Sequence, residues 1–256
     1  MTEGVHPRAA SFGDAAEAYE RGRPGWSAEA IETAARRLGL APESSVLDLA
    51  AGTGKLTREL VGRFGSVTAV EPIDGMRAVL ERLVPGARAL TGTAEAIPLA
   101  GASTDAVFVG EAFHWFDAER ACAEVARVLR PGGGVAVLYN RAGTGDADAP
   151  WQREAQAVFE AHRLPPDDVD PFDESRWKDA LTRALGPLHE DAIPVVQRID
   201  AAGLLAAYAS FSGLAGLPDD RRAAALEAIR DVLARHAVGE VEVRYTTTVV
   251  TALRGR

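Results

Sequence analysis

The chain has 256 residues, 47% of them hydrophobic and 25% charged, with a net charge of −9. This composition fits one large α/β unit with a sizeable core and excludes disorder over most of the length, and the acidic balance argues against a general nucleic-acid surface, which needs clustered Lys and Arg. Cys122 is the single cysteine, the five histidines show no spacing that gathers two on one helix face, and no apolar run reads as a signal peptide or a bilayer span, so a cytoplasmic protein without metal, nucleic-acid or membrane partners is expected.

The first twelve residues carry no pattern of regular structure. Helical composition follows over Asp14 to Arg21 and Ala28 to Leu38, parted by the turn-rich Gly22-Arg23-Pro24-Gly25-Trp26. Val46 to Leu49 is a short apolar run containing one acid, Asp48. Ala50-Ala51-Gly52-Thr53-Gly54 follows it, and Leu56, Leu60 and Phe64 then recur at helical spacing, which together read as strand, tight turn and helix. A second apolar run, Val67 to Val70, ends in Glu71 and places an acid at the carboxyl end of a neighbouring parallel strand. Small residues at 50 to 54 let a ligand lie against the backbone, because no bulky side chain blocks it.

That ligand is expected to be a nucleoside. Counting GxGxxG from Gly52 and Gly54 lands on Thr57, so the dinucleotide fingerprint fails. Leu49 and Leu56 occupy the positions where a phosphate loop needs its first Gly and its Ser/Thr. Accepting hydrogen bonds from both ribose hydroxyls is then the best use of Glu71.

Farther along, Asp74 to Val84 reads as a helix with Met76, Val79, Leu80 and Leu83 on its inner face, and Ala87 to Leu90 as a short strand before the loop Thr93-Ala94-Glu95. Asp105 to Gly110 is a buried-type strand that releases Glu111-Ala112-Phe113-His114-Trp115-Phe116-Asp117 at its carboxyl end, where active-site groups of open α/β sheets gather. Ala118 to Leu129 is a helix with Cys122 on its core face, stopped by Arg130-Pro131-Gly132-Gly133-Gly134. Val135 to Tyr139 is the fifth strand. After Asn140 a polar connection through Gly143, Gly145, Asp146, Asp148 and Pro150 is expected to cross the mouth of the crevice. Helices at Trp151 to His162 and Glu174 to Leu185 flank the Pro/Asp-rich Leu164 to Asp173. A strand within Pro187 to Ile199, helices over 200–212 and 219–236, and an alternating strand over Glu240 to Leu253 complete the chain, the last two strands pairing antiparallel.

These residues carry a family resemblance. DLAAGTGKLT with VEPIDGM resembles the first two motifs of the class I S-adenosylmethionine-dependent methyltransferases. GTAEAIPL at 92–99 resembles the third, and AFHWFD at 112–117 and VLRPGGGVAVLYN at 128–140 the next two, in the small-molecule branch labelled type 11. Five motifs in the family order cover about Tyr19 to Asn140. The resemblance implies an α/β fold, a Rossmann-like doubly wound seven-stranded sheet that is mostly parallel with an antiparallel last strand, plus helical cap insertions. It implies one domain over 1–256, with an N-terminal helical lid (1–40), a cofactor-binding core (41–140), a cap insertion (141–186) and C-terminal strands with a helical insertion (187–256).

It further implies S-adenosyl-L-methionine as cofactor, methyl transfer by in-line displacement to a small-molecule acceptor such as a carboxylate or hydroxyl, and it allows a homodimer. Cofactor contacts are implied for Tyr19, Asp48, Ala50, Ala51, Gly52, Gly54, Glu71, Pro72, Met76, Thr93, Ala94, Glu95 and Glu111. YERGRPGWS resembles the segment that folds over the cofactor, with Tyr19 near the methionine end; alternatively, Tyr19 and Trp26 only pin two helices to the core. Met76 is either an adenine contact or core. The family's usual Gly at the first small position is Ala50 here, for which a slight adjustment is expected. His114 is the candidate general base because its unperturbed pKa suits proton transfer near neutrality, although a lone His in an aromatic run is more often structural. Trp115, Asn140, Arg141 and Trp151 are candidate substrate contacts, Arg141 as a bidentate carboxylate ligand or as a solvated loop charge. Two rivals stand beside this reading, a non-catalytic S-adenosylmethionine-binding protein and an NAD(P)-dependent oxidoreductase, the latter needing pyrophosphate contacts that the loop lacks.

Overall fold

The computed structural model describes residues 6–142, 149–165 and 174–255. The connection over 143–148 and the segment 166–173 lie outside the described residues. Seven strands form one sheet, β1 (Ser45–Leu49), β2 (Ser66–Val70), β3 (Arg88–Leu90), β4 (Thr104–Gly110), β5 (Leu129–Ala142), β6 (His189–Ile199) and β7 (Val241–Leu253), in the order β3-β2-β1-β4-β5-β7-β6. Pairs from β3 to β5 are parallel, and β7 runs antiparallel to both β5 and β6. The expected Rossmann-like sheet is therefore present. Strand order reverses between β1 and β4, and a crevice opens beyond their carboxyl ends.

Alternation along the central strands covers both faces. Val46 and Phe108 pack under α3 (Ala28–Leu38) and α4 (Lys55–Leu60), whereas Leu47, Leu49, Val107 and Val109 pack under α6 (Ala118–Val128) and α8 (Ser175–Leu185). Cys122 lies in this second core, and burial pushes its thiol up to about 12. Helix α3 starts where Ser27 Oγ accepts from Ala30 N at 3.2 Å and ends at left-handed Gly39. Among the described residues no helix is long and apolar enough to cross a membrane.

Several local readings need correction. A short helix α1 (Pro7–Ala10) forms where the first twelve residues suggest no structure, ahead of α2 (Ala16–Gly22), which falls on the helix expected over Asp14 to Arg21. Helix α4 stops at Leu60 rather than reaching Phe64, because Val61 turns extended and Gly62 adopts a φ of 84°. Strand β5 runs on to Ala142, since β7 pairs with it through Asn140↔Thr247 and Arg141↔Thr246. Arg141 is thus a strand residue, not a loop charge. At the other end, Leu129 pairs with Thr104 and Gly134 with Ala106, so residues 130–133 bulge out of the sheet where a turn was expected.

The stretch 141–186 divides between two bodies. Helix α7 (Pro150–His162) shares a separate core with α9 (Ala201–Ala209), α10 (Ser212–Ala215) and α11 (Asp219–Arg235), built on Ala155, Leu204, Leu214 and Ile229. Helix α8 instead contributes Trp177, Leu181 and Leu185 to the sheet cover. The stretch 141–186, expected as one insertion, thus sends α7 to the core of α9 to α11 and α8 to the sheet.

Gly54 heads α4 with a φ of 86°, and a Cβ there would lie 3.0 Å from Val84 Cγ2 and 3.1 Å from Leu80 Cγ. It packs toward helix α5 (Asp74–Leu83) and its C-cap, and is not among the residues that border the crevice. Gly54→Ala is expected to lower stability by about 2–5 kcal/mol, the sum of a left-handed alanine and a crowded core contact. The urea unfolding midpoint measures it.

Candidate active site

A cavity of about 1040 Å³ occupies the crevice at the carboxyl ends of β1, β2, β4 and β5, roofed by α1 and α2 on one side and by α7, α9 and α10 on the other. Its volume exceeds what one drug-sized ligand fills. At the exit of β1, Ala50 and Gly52 both take left-handed backbone, with φ of 56° and 57°. Gly52 faces open space where a Cβ would stand, whereas Ala50 keeps a methyl in a conformation that favours glycine.

Glu71 braces this turn. Its buried carboxylate accepts from Gly52 N at 2.8 Å through Oε2 and from Ile73 N at 2.9 Å through Oε1. Each oxygen retains capacity for a further donor on the cavity side. Burial pushes this carboxyl up to about 7, against the two backbone bonds and Arg77, which lower it. Asp48 is 1% exposed, and strand alternation turns it toward α4, where its Oδ2 accepts from Thr57 Oγ1 at 2.6 Å. Its Oδ1 is buried without a partner among the described residues, and desolvation raises Asp48 to about 7 as well. Both acids border the cavity.

Helix α2 is clamped over the same turn. Thr53 Oγ1 donates to Glu20 Oε2 at 2.7 Å, Arg58 Nη2 to Glu20 Oε1 at 2.8 Å, and Lys55 Nζ to the Glu20 carbonyl at 2.6 Å. Lys55 is thus held by α2. Tyr19 and Met76 pack with Phe12, Ala16, Ile73 and Val79 in one small cluster, and both reach the cavity wall. The buried Tyr19 hydroxyl is pushed up to about 12 and stays neutral. Trp26 lines the cavity as well and packs against Gly110 on the α3 side of the sheet.

Ala51, Pro72, Thr93 and Ala94 also line the cavity. Glu95 lines it too, with Oε1 accepting from Asp117 N at 3.0 Å, which ties the β3 loop to the start of α6.

The opposite half is formed at the ends of β4 and β5. Glu111 has a φ of 54°, donates its N–H to Leu138 O at 2.9 Å and accepts from Asn140 N at 2.6 Å, locking the two strand ends together. Asn140 Oδ1 accepts from Thr247 Oγ1 at 2.5 Å. His114 and Trp115 sit on a single 3₁₀ turn, and Trp115 lies 5.0 Å from the His6 ring and 6.2 Å from Phe12 of the N-terminal segment. Burial, then Arg141 and Arg23, push His114 down to about 4, so it is a neutral imidazole at pH 7. Arg141 donates to Glu174 Oε1 at 2.5 Å and stacks over Tyr139.

Trp151 is not brought to the site. It packs in the α7 to α11 core, because the spacing of α7 turns it inward. Conversely, Phe12, Arg23, Phe159, Phe211 and Tyr245 line the cavity and went unnoticed as site residues. Of these, only Arg23 belongs to a stretch with a local signal, the YERGRPGWS segment that resembles one folding over the cofactor.

Residues 47–137 match a family described as a methyltransferase domain. A Mycobacterium tuberculosis protein described as an uncharacterized methyltransferase is 40% identical over 230 residues, which cover 88% of this chain and 86% of that one. A malonyl-[acyl-carrier protein] O-methyltransferase of Methylococcus capsulatus is 39% identical over 138 residues, 49% of this chain and 48% of that protein. The crystal structure of the YcgJ protein from Bacillus subtilis superposes with a TM-score of 0.56 at 20% identity, covering 89% of this chain and 99% of that one, a likeness of fold.

Proposed function

This chain belongs to the type 11 family of class I S-adenosylmethionine-dependent methyltransferases, with S-adenosyl-L-methionine as its cofactor, and from that premise we propose that it methylates a carboxylate oxygen of a small molecule. The observation that carries the acceptor class is the weakness of the one expected base. An imidazole held at about 4 takes little of a hydroxyl's proton, whereas a carboxylate arrives already ionised. The malonyl relative, whose name specifies an oxygen as the methylated atom, supports the same class.

The residues present fit the cofactor. Glu71 offers two buried carboxylate oxygens, already oriented by Gly52 and Ile73, to the ribose hydroxyls. The open face at Gly52 leaves room for the nucleoside against the backbone. Met76 and Ala94 supply apolar surface for adenine, and the unpartnered Oδ1 of Asp48 suits the cationic amino-acid end. When bound, the cofactor supplies a methyl group on positively charged sulfur, open to displacement. The chain's own part is to align the acceptor, and to keep water out with α1, α2 and the cap. Glu111 fixes the acceptor half by joining β4 to β5.

The test pairs carboxylic acids with their alcohol counterparts in methyl transfer from labelled cofactor. Base-labile esters from the acids are expected. Methylated alcohols with unreacted acids would reverse the acceptor assignment.

Cofactor binding is also expected to release a proton. Glu71 is half-protonated near pH 7 in the cofactor-free protein, and hydroxyl donors favour its ionised form, which lowers its pKa. The same elevation means that the cofactor-free fold holds more protons than the unfolded chain between the ordinary carboxylate range and about 7, so its stability falls as pH rises through that window. Calorimetry at pH 6.5 in buffers of differing ionisation enthalpy measures the release. Uptake of a proton would contradict the assignment.

A further inference from the structure

Four arginine and lysine side chains line the cavity, and three have carboxylate partners: Lys55 with Glu20, Arg141 with Glu174, and Arg163 with Glu160. Arg23 has none within ion-pair distance among the described residues. Its guanidinium lies 4.2 Å from the Phe211 ring centroid and 5.5 Å from that of Tyr19. Its Nε donates to Ser210 Oγ at 2.9 Å and Nη2 reaches the Ser210 carbonyl at 3.4 Å. Arg23 lines the cavity, and its bonds to Ser210 run through Nε and Nη2, not Nη1. The charged and titratable groups around it are Glu111, Arg141, His114, Tyr19 and Tyr245, and the one acid among them, Glu111, is engaged by Asn140 N.

We propose that Arg23 binds an oxyanion of the acceptor other than the oxygen that takes the methyl, so that the acceptor is a diacid and the product its half-ester. This deepens the proposed function and rests on it. The argument is one of charge. As the acceptor oxygen bonds to the methyl carbon, the carbon–sulfur bond breaks and its electron pair stays on sulfur, so a negative and a positive charge vanish together and no proton moves. A cation clamped on the reacting oxygen would stabilise the charged ground state more than the transition state and slow the step. A cation on a second, spectator carboxylate costs nothing in the transition state and fixes the acceptor's orientation. The planar fork, held from one edge by Ser210 and between two rings, is suited to that role.

The test uses methyl transfer to straight-chain C4 to C8 dicarboxylates and to phthalate, each beside its half-amide, with the half-ester detected by mass. Wild-type kcat/KM is expected to favour diacid over half-amide by roughly tenfold or more, chiefly through KM. Arg23→Gln should collapse that ratio toward one, Arg23→Lys should restore part of it, and Ser210→Ala, which keeps the charge, should retain it. A purely structural role for Arg23 would lower both rates and leave the ratio intact, which overturns the proposal. Equal use of diacid and half-amide, or no methylation of any diacid, overturns it too. Binding of S-adenosylhomocysteine to the same wild-type preparation separates that outcome from failure of the methyltransferase reading itself.

Discussion

Glu71→Ala is expected to weaken S-adenosylhomocysteine binding by about 3 kcal/mol, more than a hundredfold in Kd, the scale of two hydrogen bonds to a charged group. The effect has two sources. Alanine removes the acceptor for the ribose hydroxyls, and it also leaves the Gly52 and Ile73 N–H groups without the carboxylate that orients them. The turn after β1 then loses its brace at the point where the nucleoside must lie. Glu71→Gln should fall between wild type and alanine. Its amide keeps the shape but turns an NH₂ toward one of the two backbone donors. Calorimetric titration reads both variants, and a Kd within threefold of wild type for Glu71→Ala would remove Glu71 from the binding site.

Gly22→Ala is expected to cost methyl transfer roughly a hundredfold, the penalty associated with an ångström-scale misplacement of the acceptor. Gly22 is where the lid meets the cap. A Cβ there would stand 2.1 Å from Ala207 N and 2.5 Å from the Ala206 carbonyl carbon, both backbone of α9, so neither neighbour can rotate away. Helix α2 must then part from α9, the Arg23 bonds to Ser210 are lost, and water enters the cavity roof. Stability should drop by about 1–3 kcal/mol as well, the usual cost of overpacking. Steady-state transfer rates together with a thermal melt measure the two effects, and unchanged values of both would show that the lid and cap work apart.

What the sequence disclosed follows from the range of the interactions involved. The β1 turn was legible because strand, small residues and the second acid all lie between Ser45 and Glu71, and the parallel pairing of β1 with β2 follows from that short span. Asp48 and Glu71 also showed their place at strand ends. Arg23 did not. Its partners Ser210 and Phe211 lie almost two hundred residues away, so the resemblance of YERGRPGWS to a segment folding over the cofactor does not single out this arginine. The loop-charge alternative for Arg141 fails for a similar reason, since β5 extends beyond Tyr139 only because β7 supplies the partner strand. Trp151, a candidate substrate contact, opens a helix whose inward face no local pattern assigns. The cap core around Leu214 and Ile229 claims it instead. Helix α1 is four residues long, too short to show a hydrophobic period, and His6 and Phe12 near its two ends are held by the aromatic surface of Trp115.

The central claim is that the carboxylate at the end of β2 holds the sugar of an adenosyl group lying on the backbone at the end of β1. Titration of wild type and Glu71→Ala with S-adenosylhomocysteine and with its 2′-deoxy analogue tests it most directly. Wild type should bind the deoxy compound roughly tenfold more weakly, the worth of one such hydrogen bond, and the variant should bind the two alike. Equal affinities in wild type, or an undiminished difference in the variant, would contradict the account.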